Sequence, residues 1–207
     1  EKKEVALAGE RGVVSYDRLL IACGSAPRPG PWPGADRPGV GSFVTLQDLE
    51  WLEGELHGGP SRGGRPPNAD AHLDSSTEDS PYRVRALTRD TRGGAPRHPV
   101  VIGGGLIGIE AVEVMVSAGL RPRFFIRDEW FWPIALDDAE STWISERMRE
   151  HGVDVHLGEN VEELSGDDAI RAIRTDQGEH ECDLCVIAIG VVPNTGWLNG
   201  SGLEPDR

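Results

Sequence analysis

The chain of 207 residues is long enough for one or two domains with cores of their own, and its 38% hydrophobic content includes no apolar run able to span a membrane. A formal net charge of −14 repels nucleic acid and anionic lipid, so neither a nucleic acid nor a membrane is expected as a partner. The acidity reads as a solvated surface. Glu1 opens the chain without a signal-peptide pattern, which points to a start inside a longer protein.

The first predicted elements are an antiparallel hairpin, residues 2–8 and 13–15, turning at Gly9-Glu10-Arg11-Gly12. Leu19, Leu20, Ile21 and Ala22 follow as a buried strand, which ends at Cys23-Gly24-Ser25. Pro27, Pro29, Pro31 and Pro33 then exclude regular structure. Thr45, with Asp48 three residues on, caps a helix through Leu46, Leu49, Trp51 and Leu52. Residues 54–97 lose apolar periodicity and become rich in Gly, Pro, Ser, Asp and Arg. They read as a surface insertion or mobile linker and mark a boundary, with an ordered lid as the alternative. Three parts are therefore expected, 1–53, 54–97 and 98–207.

Residues 98–120 read HPVVIGGGLIGIEAVEVMVSAGL. Val100, Val101 and Ile102 form a buried strand, Gly103-x-Gly105-x-x-Gly108 a turn, and the apolar residues from Leu106 to Val116 a helix packed on a sheet. Each glycine has its own task. Gly103 permits the tight turn, Gly105 lets a pyrophosphate approach the backbone, and Gly108 brings helix and strand together. Phosphates then rest on a helix N-terminus, where free N–H groups and the helix dipole stabilise negative charge. Gly103, Gly104, Gly105, Leu106, Ile107 and Gly108 are the expected nucleotide-binding residues.

Beyond this turn the pattern is βαβ. Residues 122–127 form a strand, Asp137 with Glu140 caps a helix over 138–150, and residues 153–157 form a further strand. Three short antiparallel strands follow, at 161–164, 169–174 and 179–182, before 184–189 returns to the main sheet and stops at Gly190. Ligands on open α/β sheets bind beyond strand C-termini, which puts Gly190 and Val191 near the cofactor. The fold class is α/β and Rossmann-like, a parallel sheet with helices plus an antiparallel β-meander.

Cys23, Cys182 and Cys185 are too few for a secreted disulfide scaffold and fit a reducing cytoplasm. Cys182-x-x-Cys185 runs into the apolar strand CVIAIG, where residues three apart point to opposite faces, and no helix N-terminus stands ready to stabilise a thiolate. Zinc needs a fourth ligand beyond His180 and the two thiols. The cysteines read as structural, and neither a metal site nor a catalytic side chain is expected.

Four segments, in order, resemble the pyridine nucleotide-disulfide oxidoreductases, FAD-dependent flavoproteins with two dinucleotide-binding domains. YDRLLIACGSAPR at 16–28 resembles the family's YDxLxIATGSxPR, with Cys23 in place of Thr. PGADRPGV and TLQDL resemble the exit toward the second domain, VVIGGGLIGIEAVE the NAD(P)H fingerprint, and CVIAIGVVPNT the strand and loop that close over the nicotinamide. The family's FAD fingerprint and redox cysteines would precede Glu1, and its Gly-Asp segment for the FAD ribityl would follow Arg207. The resemblance implies an NAD(P)H domain with part of a FAD domain, passing hydride from NAD(P)H to flavin in a longer protein, and inactive alone. The electron acceptor is left open, as is a homodimer of the longer protein.

Glu110 matches the family's acid facing the nicotinamide, or is a solvated helix carboxylate beside Glu113. In an NAD-selective site the second strand ends in Asp or Glu; here that position is Ile126, and Arg127 follows. Arg127 could pair with a 2′-phosphate, which favours NADPH. Asp128 and Glu129 oppose the phosphate and could bond a ribose hydroxyl, or pair with Arg127 themselves. Trp130, Phe131 and Trp132 could support an adenine, or simply pack. A non-catalytic nucleotide-binding module and a Rossmann methyltransferase are the rival readings.

Overall fold

The structure, a computed structural model, describes residues 3–9, 12–56 and 96–203. Residues 57–95, and with them the insertion or lid expected there, lie outside the described residues; 54–56 belong to a helix. The chain divides into two compact units, one of residues 1–25 and 193–207 and the other of residues 26–192.

In the first unit, β1 (Glu4–Ala6) and β2 (Val13–Ser15) form the expected antiparallel hairpin, with Val5 opposite Val14. The buried strand expected at Leu19 to Ala22 is not there: these residues form no strand, and Leu20 is 87% exposed. An apolar run becomes a buried parallel strand only between partner strands, and among the described residues none lies beside it. A short 3-10 turn at Gly196–Leu198 also belongs to this unit.

The second unit is built on a five-stranded, wholly parallel sheet, in the order β4 (Val40–Gly41), β11 (Leu184–Ile187), β5 (Pro99–Ile102), β6 (Arg123–Ile126), β7 (Asp154–Leu157). Its strands are almost continuously apolar because both faces are covered. Val101, Phe124, Ile126, Leu184 and Val186 point to a core shared with α1 (Leu46–Leu56), α2 (Leu106–Ser117) and α3 (Asp138–Glu150). Val100, Ile102, Phe125, Cys185 and Ile187 point the other way. There they meet Leu164 and Ile173 from an antiparallel sheet of β8 (Val161–Ser165), β9 (Ala172–Thr175) and β10 (Glu179–Glu181).

Local chemistry sets the helix starts. Thr45 and Asp48 cap α1 reciprocally: the Asp48 N–H donates to Thr45 Oγ1 at 3.2 Å, and Asp48 Oδ2 accepts from the Val44 and Thr45 N–H groups at 2.9 Å each. Asp137 and Glu140 do the same for α3, with the Glu140 N–H donating to Asp137 Oδ1 at 2.8 Å and the Asp137 N–H to Glu140 Oε2 at 3.1 Å.

Two expectations change here. The proline-rich segment contains β3 (Ser25–Pro27), which pairs with β12 (Val191–Pro193); proline is tolerated in a short edge strand that needs few ladder donors. Cys182 and Cys185 do not face opposite ways. Cys182 lies between β10 and β11 rather than on a strand, so both thiols enter the same apolar cluster. Burial, with Cys182 beside it, pushes the Cys185 thiol well above its ordinary pKa.

Candidate functional site

Parallel strands leave β5 in both directions, toward β6 on one side and β11 on the other, so the carboxyl ends of β5 and β11 border a topological switch point. The glycine turn occupies one rim. Gly103 follows β5 at φ +123°, and a Cβ there would strike the Ala188 carbonyl just beyond β11. The ladder continues alongside, with the Ala188 N–H donating to the Ile102 carbonyl at 2.8 Å. A Cβ on Gly104 would stand 2.6 Å from Ile126 Cγ2, and one on Gly108 would strike the Gly103 carbonyl and meet the Phe124 ring at 3.2 Å. Three glycines are thus required by packing alone.

Gly105 differs. A Cβ there would meet nothing within 4 Å. It is the N-cap of α2, in extended conformation, and no side chain caps that end. The first N–H groups of α2 are left for a ligand or solvent, with the positive end of the helix dipole behind them. An uncapped N-terminus, an open glycine and three tight ones fit a pyrophosphate cradle.

Leu106 is exposed, Ile107 half-buried and Glu110 exposed one turn further along α2. Gly190 is exposed after β11, its carbonyl accepting from the Arg28 N–H at 2.9 Å, and Val191 is half-buried. Arg127 and Asp128 leave the end of β6 into solvent. Arg127 Nη2 stands 3.6 Å from Asp128 Oδ1, with the arginine side chain 79% exposed. Of the following aromatics, Phe131 is in the core against Phe124, with ring centroids 6.1 Å apart, and Trp132 packs on the same core at φ 50°. Trp130 is partly exposed.

One polar group escaped the sequence reading. His156, Glu159 and His180 converge between the two sheets. His156-x-x-Glu159 is too common a spacing to signal anything, and His180 joins it from 21 residues beyond Glu159.

A parallel sheet with a glycine turn at its switch point and helices over one face defines a Rossmann-type dinucleotide-binding fold. The chain belongs to the pyridine nucleotide-disulphide oxidoreductase family, which matches residues 1–207. Among curated relatives, the nitrite reductase [NAD(P)H] of Bacillus subtilis is 28% identical over all of this chain and 21% of its own length. Among solved structures, a FAD-dependent pyridine nucleotide-disulphide oxidoreductase from Desulfovibrio vulgaris is 25% identical at a TM-score of 0.66, over 97% of this chain and 42% of that one. A ferredoxin reductase from Rhodopseudomonas palustris shares the fold at a TM-score of 0.72 and 22% identity, over 99% of this chain and 42% of that one. The chain thus spans from a fifth to two fifths of the length of these relatives.

Proposed function

We propose that this chain is the NAD(P)H-binding portion of a FAD-dependent oxidoreductase that passes hydride from NAD(P)H to flavin. The observation that carries the reading is the open space at Gly105 beside an uncapped helix N-terminus. The nicotinamide and the flavin supply the hydride chemistry when bound. The chain supplies binding and orientation. Backbone N–H groups from Gly105 to Gly108 hold the pyrophosphate, with Leu106 and Ile107 covering it, and Gly103 and Gly104 keep the turn close to the sheet. Glu110, Gly190 and Val191 border the nicotinamide end, while Arg127 and Asp128 border the adenosine ribose.

On this reading residues 1–25 and 193–207 belong to a FAD domain completed elsewhere in a longer protein. Residues 26–192, whose β4 joins the parallel sheet and whose α1 packs on it, form the NAD(P)H domain, in place of the boundaries at 53 and 98 expected from the sequence. The protein works in the cytoplasm. NADPH is the preferred nucleotide, because Ile126 stands where an acid would repel its 2′-phosphate and Arg127 follows.

The test is Gly105→Val, with NADH and NADPH titrated into wild type and variant. The added side chain meets no protein atom near its Cβ, so the fold should survive, as circular dichroism would verify, while nucleotide binding is lost. Equal affinity in the two proteins would remove this turn as the binding site.

A further inference from the structure

In the second unit a buried carboxylate stands between two imidazoles. Glu159, 5% exposed, follows β7; His156 lies on β7 and His180 on β10. His156 Nδ1 lies 2.7 Å from Glu159 Oε2, and His180 Nε2 lies 2.8 Å from Glu159 Oε1. The Thr175 hydroxyl donates to Glu159 Oε1 at 2.6 Å. Phe125 stacks on His156 at a centroid distance of 4.5 Å and meets the edge of His180 at 5.0 Å, shielding one side of the cluster.

We propose that His156, Glu159 and His180 form a binding site for a divalent transition-metal ion of the zinc type. Two imidazoles and a carboxylate are a donor set that such ions accept in tetrahedral geometry, with solvent as the fourth ligand. The three donor atoms already lie within 4.8 Å of one another. Tetrahedral bonds of about 2.0–2.2 Å place donor atoms about 3.3–3.6 Å apart, so the ion would spread the two hydrogen-bonded pairs by about half an ångström and draw the widest pair in by about one. Burial pushes the Glu159 carboxyl up, but the Thr175, His156 and His180 hydrogen bonds more than offset it.

The second ring nitrogen of His156 carries the argument furthest. Nε2 is buried without a hydrogen-bond partner among the described residues, although Asp154 Oδ2 stands 3.2 Å away. A neutral ring that donates from Nδ1 to Glu159 turns a bare lone pair toward that carboxylate. With a metal ion on Nδ1 the proton sits on Nε2 instead and faces Asp154, the carboxylate–histidine–metal arrangement that orients ligands in many sites. A second ring proton would serve Asp154 as well; an ion at the centre of the cluster does so while also tying β7 of the parallel sheet to β10 of the antiparallel one.

The test strips the purified protein with a chelator and titrates it with Co²⁺, then Zn²⁺, following absorption, thermal unfolding and imidazole nitrogen NMR shifts. One equivalent of Co²⁺ should bind with nitrogen–oxygen d–d bands and no thiolate charge-transfer band; Zn²⁺ should displace it and raise Tm. The exposed neighbour variant Asp154→Asn should weaken binding by about 10–100-fold. His156→Gln with His180→Gln should weaken it by more than that. Should the double variant not fold, the wild-type imidazole shifts decide, because both His156 and His180 must move on adding Zn²⁺. Unmoved imidazoles, a thiolate band, or a His156 ring that stays doubly protonated in excess Zn²⁺ would overturn the proposal.

Discussion

On the proposed function, Arg127 is the residue on which the choice between nicotinamide nucleotides turns. Its partner in the structure is Asp128 at 3.6 Å, and the guanidinium is largely in solvent. An exposed ion pair of this kind contributes about 0–1 kcal/mol. A charge-assisted hydrogen bond to a phosphate contributes about 1.5–3 kcal/mol before desolvation. On the proposed reading a 2′-phosphate competes with Asp128 for the arginine. Arg127→Ala should weaken NADPH binding by about tenfold and leave NADH binding within about twofold, measured as Kd at one ionic strength. An unchanged NADPH to NADH ratio would assign Arg127 to Asp128 alone. The position of Arg127 after β6 was legible in the sequence, because a strand end is a local event. Its pairing with Asp128 was one of the readings the sequence left open, and the path of the following loop decides it.

Among the elements, α1 shows how a short polar signal governs a buried structure. Asp48 is fully buried, and its Oδ2 takes both the Val44 and Thr45 N–H groups, leaving Oδ1 without a hydrogen-bond partner among the described residues. Asp48→Ala removes a cap and strands two donors, so a loss of about 1–3 kcal/mol is expected. Urea unfolding monitored by tryptophan fluorescence would measure it, and a change under about 0.5 kcal/mol would show that water replaces the carboxylate. Thr45/Asp48 and Asp137/Glu140 were both readable as helix starts, because a capping box is written within four residues. β3, β4 and β12 were not. Unlike β1, β2 and β10, which sit in local antiparallel pairs, these short strands exist through partners far along the chain, as Val40 does opposite Cys185. The run Leu19 to Ala22 fails for the converse reason: its pattern is strong, but no described strand lies beside it.

At the scale of the whole molecule, the second unit contains a parallel sheet covered on both faces, and the first contains a two-stranded hairpin with no parallel sheet among its described residues. A dinucleotide needs strand ends and a helix N-terminus together, and only the second unit has them among the described residues. Residues 1–207 expressed alone should therefore bind a nicotinamide nucleotide but remain colourless after incubation with FAD and gel filtration. A stoichiometric yellow complex would show that the first unit holds flavin by itself.

The sequence by itself determined the βαβ order, the glycine turn at residues 103–108 and both capping boxes, since each arises from neighbours along the chain whose backbone demands are local. Only the tertiary structure decided that Cys182 and Cys185 share one core and that His156, Glu159 and His180 meet. Those outcomes depend on how the antiparallel sheet lies against the parallel one, and no spacing along the chain encodes a contact between residues brought together by two different sheets.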